Sequence, residues 1–128
     1  MNNQVTIAEF EMGVVRGGFH HADHVRIAFA YVSEMPLLEA LAKFPAALKR
    51  FALAQGKNNL YHQTITWAYL LLIAERMTLA DGAQSWEQFA ESNPDLLVRE
   101  GGLLERYYSR TTLDSAKARS VFVFPDAA

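Results

Sequence analysis

The chain has 128 residues, enough for one domain that buries roughly two-thirds of the surface its unfolded form exposes. Apolar residues make up 51% and charged ones 20%, and 12 basic against 14 acidic side chains leave a net charge of −2 with no basic face for nucleic acid. The absence of cysteine removes disulfides, thiolate ligands and a cysteine nucleophile.

In chain order, Thr6 and Glu9 form a capping box that predicts a short first helix from Thr6, ending near Gly13. Gly17-Gly18 make a turn before a second helix over about 20–33. Pro36 is placed at the first position of a third helix, where its missing N–H costs nothing. Leu37, Leu41, Phe44, Leu48 and Phe51 give that helix a core-facing stripe. Pro45 interrupts the stripe, but the phase continues across it, which predicts a kinked helix rather than a chain reversal. Gly56 stops this helix, and Lys57-Asn58-Asn59 connect it to a fourth helix over about 60–78.

Beyond it, Asp81-Gly82 turns the chain, and Ser85 with Gln88 forms a second capping box that opens SWEQFAE. Asn93-Pro94 reads as an N-cap followed by a first-position proline. Gly101-Gly102 separates that segment from LLERYYS, and one last short helix covers LDSAKARSVF. Only SVFVF at 120–124 hints at strand alternation. The fold class is therefore all-α: residues 1–128 form a single helical domain, with a three- to four-helix core and short peripheral helices.

The longest apolar run, WAYLLLIA at 67–74, is far short of the ~20 residues a membrane span needs. The N-terminus lacks the order of a secretory signal, so a cytoplasmic protein without membrane partner is expected.

The chemistry-bearing residues are histidines. A helix turns about 100° per residue, so His21 shares a face with His24, Val25, Ala28 and Val32, and His62 with Ile65, Thr66, Tyr69 and Ile73. Both faces must be buried. If the second, third and fourth helices run up, down and up, the first turns of the second and fourth meet at one end of the core. His21, His24 and His62 then form a site for Zn²⁺ or another first-row divalent ion, kept neutral by the positive helix ends. In a metal-free version one histidine is a general base, with Tyr61, Thr64 or Thr66 as partners. The plainer alternative is that these histidines are core hydrogen-bonders or caps. His20 turns towards the flank; Asp23, Arg26, Glu75 and Arg76 fall on outer faces, and Asp126 could cap a helix or reach a site from the tail.

The stretches FHHADHVR at 19–26, YHQTIT at 61–66 and RYYS…ARSVFVFPD at 106–126 together resemble a family of small bacterial proteins without an assigned reaction. That family shares H-x-x-H-x-R-x-A, Y-H-E-T-I-T and a C-terminal Y-Y-S…A-R…F-V…P-D. The resemblance implies His21, His24, Arg26, Tyr61, His62, Thr64 and Thr66 as site positions, with Gln63 here where the family carries Glu. DinB-like bundles offer an analogy only: they hold a divalent metal through three histidines, but with H-x-x-x-H on a late helix.

Two functions compete. One is a histidine-lined pocket for a small-molecule ligand, with Tyr61, Thr64, Thr66 and Tyr69 as binding residues and a divalent metal held by His21, His24 and His62. Metal-assisted hydrolysis or proton transfer would then be the reaction. The other is a non-catalytic interaction protein whose Trp86, Phe89, Tyr107 and Tyr108 form a homodimer or partner surface.

Overall fold

The computed structural model describes residues 2–57, 59–80, 82–99 and 102–127. Helix α1 spans Asn3–Glu11, α2 His21–Glu34, α3 Leu37–Ala54 and α4 Gln63–Thr78. Shorter pieces follow: α5 (Trp86–Ser92), 3₁₀ turns at Pro94–Leu97 and Leu103–Arg106, α6 (Arg110–Leu113) and α7 (Ala116–Ser120). No strand forms among the described residues, and the architecture is an all-α bundle. None of its helices is long and apolar enough to cross a membrane. The turns expected around Asn58, Asp81 and Gly101 lie outside the described residues.

Helix α2 is the hub, packed against α1, α3 and α4. Its residues Ile27 to Tyr31 are consecutively buried, so this stretch is covered all round rather than along one stripe. Phe10 of α1 and Phe44 of α3 pack against each other with ring centroids 5.9 Å apart, and Tyr31 meets Phe44 at 5.3 Å. On the far side Phe29 packs on Phe89 at 4.8 Å, which docks α5.

Several boundaries differ from the sequence expectation, most of them because another polar group caps better. Helix α1 starts at Asn3, because the Asn2 side chain accepts the Val5 N–H at 2.8 Å. Thr6 is no cap; its hydroxyl donates back to the Asn2 carbonyl at 3.1 Å. Pro36 is the N-cap of α3 rather than its first residue. Helix α4 starts at Gln63, with His62 as its cap. The expected C-terminal helix is two helices, because Ser115 accepts the Ala118 N–H at 3.1 Å and opens α7.

Asn93 does not cap the turn after it. Its amide donates to the Phe89 carbonyl at 2.8 Å and its oxygen accepts from Arg76 at 2.8 Å. Arg76 is not a bare surface residue either: it grips Asp95 through two parallel bonds of 3.0 and 2.8 Å. Arg26 donates to Asn3 at 2.9 Å and lies over the Trp86 ring.

Other expectations are met. Helix α3 continues through Pro45 without a chain reversal. Gly56 takes φ +67° and closes α3 with the Lys57 N–H on the Ala52 carbonyl at 2.9 Å, a Schellman arrangement. The Ser85–Gln88 box is formed in both directions, at 3.0 and 3.2 Å. Of SVFVF, Ser120 ends α7 and Val121 is extended, but no strand forms there; the Thr64 hydroxyl donates to the Val121 carbonyl at 2.8 Å and accepts the Val123 N–H at 3.2 Å.

Gly102 is required for space. A Cβ there would stand 2.4 Å from the Val98 carbonyl oxygen and 3.1 Å from that of Arg99. Gly102→Ala is expected to destabilise the fold by about 1–3 kcal/mol, read from urea denaturation.

Candidate functional site

The leading turns of α2 and α4 line one cavity of about 630 Å³. From α2 and the residue before it come His20, His21 and His24; from the start of α4 come His62, Ile65, Thr66 and Tyr69. Phe19, Leu48 and Leu60 add apolar wall, and the last quarter of the chain closes the far side with Leu104 and Leu113. Arg99, Arg110, Arg119, Glu105 and Asp114 also line it.

The three histidines meet three different fates. His62 has both ring nitrogens in use. Its Nε2–H donates to the Leu113 carbonyl at 2.7 Å, and its Nδ1 accepts the Ile65 N–H at 3.1 Å. A carbonyl can only accept, so the proton sits on Nε2 and Nδ1 holds the capping lone pair. His62 is thus a strut between α4 and α6.

His21 is half committed. Its Nε2–H donates to the Leu96 carbonyl at 2.9 Å, which leaves Nδ1 as the acceptor. The Leu96 carbonyl is itself held in place, since the Arg76–Asp95 pair fixes its 3₁₀ turn to α4.

His24 is buried, and its Nε2 has no hydrogen-bond partner. Ser33, Trp67 and Gln84 also carry a buried unpartnered atom, but none of the three lines the cavity. The His24 ring stacks on Phe44 at 5.5 Å.

The ring that completes the group is Tyr69, not His62. His21 and His24 rings stand 6.3 Å apart, and Tyr69 meets them at 5.0 and 5.8 Å. Tyr69 follows His62 by seven residues, about 10 Å along α4, so the strut and the triad occupy different levels of the wall.

Burial sets the ionisation of these groups. It drives His24 down to about 3, with the neighbouring His21 adding to the effect. It lowers His21, against the raising effect of the Leu96 carbonyl and with help from Arg99. It lowers His62 as well, with Arg119 acting in the same direction. Burial pushes the Tyr69 hydroxyl up to about 12, and the Asp95 charge adds to that. All three imidazoles are neutral at pH 7.

Thr66 and Tyr69 lie on the cavity, whereas Tyr61 and Thr64 are not among its lining residues. Tyr61 turns its hydroxyl to Gln63 and offers its ring face to Lys49, 4.9 Å away. Thr64 holds the C-terminal segment as described. His20 sits at the cavity edge, its N–H donating to Asp23 at 2.9 Å. Asp126 braces Ser109, the N-cap of α6, accepting its N–H at 2.9 Å and the Thr112 hydroxyl at 2.7 Å.

As a metal centre the donor set does not fit. His62 has no lone pair to spare, and among the described residues no three His, Asp or Glu side chains gather around one point. The arginines at 99, 110 and 119 were not singled out by sequence reasoning; nothing in their spacing joins them until the chain folds. No protein-family model, curated protein or solved structure matches the chain.

His62→Ala removes a cap and a buried bond together and should cost about 2–3 kcal/mol in urea denaturation, with His62→Asn recovering about 1 through the cap. The pH dependence has a definite sign. Each of the three histidines lies below its ordinary 6.5 when folded, so its contribution is complete above pH 6.5 and is lost as the pH falls towards the folded value. The melting temperature should fall between pH 6.5 and pH 4, and fall less in His24→Leu.

Proposed function

We propose that this cavity binds a small organic molecule and that the His21–His24–Tyr69 triad supplies its polar contacts. The observation that carries the reading is His24. Burying an imidazole with an unmade hydrogen bond costs about 1–3 kcal/mol, and no described residue supplies that bond. A neutral imidazole keeps one donor and one acceptor, on nitrogens that face apart, and a polar group of a ligand would satisfy the one at Nε2. The cavity volume falls in the usual range of small-molecule sites, and its wall joins an apolar part to convergent polar and charged side chains in about equal measure.

The reading takes the metal-free form. With His62 spent on backbone groups, His21 and His24 make at most a two-nitrogen set. His21 has the arrangement of a general base, its Nε2–H anchored on a carbonyl, which leaves Nδ1 as the acceptor of a ring that lines the cavity. Proton transfer at Nδ1 is the chemistry this arrangement would serve. The competing surface role has less support: Phe89 and Tyr108 are buried and Trp86 is half-buried, so of the four aromatics only Tyr107 is exposed.

The test separates function from packing. His24→Leu should raise unfolding stability by about 1–2 kcal/mol, because it removes an unsatisfied buried group. It should also weaken binding of N-phenylnaphthylamine, an uncharged fluorophore of suitable size, at least fivefold. Ile65→Trp should fill the cavity and abolish that binding while the circular dichroism of the fold is retained. A destabilised His24→Leu that binds the fluorophore as the parent does would show His24 to be a packing residue and end the proposal.

A further inference from the structure

We infer that the molecule taken by this cavity is a small organic acid, its apolar body lying against the ring triad and its anionic head held by the arginine rim. The inference rests on the binding role proposed above and adds the chemical class of the ligand. Its ground is the placement of charge. The chain as a whole is acidic, with a net charge of −2, yet the cavity gathers Arg99, Arg110 and Arg119 against only Glu105 and Asp114. The local sign is opposite to the global one.

These guanidiniums are not consumed by their neighbours. Arg110 stands 3.9 Å from Glu105 and 3.7 Å from Asp114, too far for a direct hydrogen bond and between exposed partners, so both pairs are weak. Arg119 donates from one nitrogen to the Asn59 and Tyr61 carbonyls, at 2.7 and 3.3 Å, which leaves further N–H groups of its fork. Arg99 makes no ion pair with a described residue, and its charge reaches His21, which it helps to keep neutral.

Two further sources act in the same direction. The first turns of α2 and α4, helices of 14 and 16 residues, both line the cavity, and the N-terminal end of each carries partial positive charge, offset at α2 by the Asp23 carboxylate on the His20 N–H. The buried imidazoles, neutral as they are, add no counter-charge. Inward from the rim the wall turns apolar and aromatic, through Leu104, Leu113 and Leu48 to Tyr69. An acidic head with an apolar body matches both ends, and a carboxylate, a sulfonate or a phosphate would serve as the head.

Two fluorophores of one skeleton test this on the intact protein. N-phenylnaphthylamine is uncharged, and anilinonaphthalene sulfonate is the same framework with one acid group. The sulfonate should bind roughly tenfold more tightly, as one charge-assisted contact allows. In the double variant Arg99→Gln, Arg110→Gln that gap should close to under threefold, and Ile65→Trp should remove both signals. Octanoate or octyl phosphate should displace the bound sulfonate while octanol does not; which of the two acids is stronger identifies the preferred head. Equal affinities for the two fluorophores, a gap that ignores the arginines, or displacement by octanol would overturn the acid assignment and leave the cavity reading in place. Binding of neither fluorophore would overturn both, and sulfonate binding that survives Ile65→Trp would place the charge preference outside the cavity and refute the assignment.

Discussion

The two backbone bonds of His62 are the constraint on which the cavity depends. By accepting the Ile65 N–H it decides where α4 begins, and by donating to the Leu113 carbonyl it decides where the last quarter of the chain must sit. A serine or aspartate could do the first but not the second, because neither has a donor on the far side of a rigid ring. Thr64, two residues on, repeats the pattern with a hydroxyl that donates to Val121 and accepts from Val123. Together these side chains join a helix start to a segment with almost no regular structure of its own.

Against that background the state of His24 gains meaning. Within one cavity the same residue type is doubly satisfied at 62, bonded at one nitrogen at 21, and left with a buried unpartnered nitrogen at 24. The fold can plainly supply partners to imidazoles where it needs them. Its failure to do so at the ring between Phe44 and Tyr69 is a local conflict of the kind that marks functional sites in otherwise consistent sequences.

Much of this was legible from residue order, and the limits have physical causes. Helical phase placed His21, His24, Thr66 and Tyr69 on inward faces, and three of the core helices came out within a few residues of their bounds. Propensity does not single out the side chain that caps a helix: Asn2 rather than Thr6 opens α1, and His62, rather than a start at Leu60, opens α4. Arg76 looked like a surface residue because its partners, Asn93 and Asp95, lie 17 and 19 residues away. The meeting of His21, His24 and His62 at one cavity was legible as well, but which rings touch there was not. Phase tells which face a residue occupies but not its height along the axis, and height is what pairs Tyr69 rather than His62 with the rings of α2.

The links that close the cavity span long stretches of chain: 51 residues from His62 to Leu113, 57 from Thr64 to Val121 and 60 from Asn59 to Arg119. Each must repay the loop-closure entropy of that span with one or two polar contacts. The α1–α4 bundle, by contrast, is sealed by aromatic rings over shorter spans, such as Phe10 to Phe44 and His24 to Tyr69. Contact order therefore divides the molecule into a quickly assembled helical body and a late, shallowly held cover. Amide protons of the cover should exchange ahead of those in α2, and an occupant touching both parts would delay that exchange by joining them.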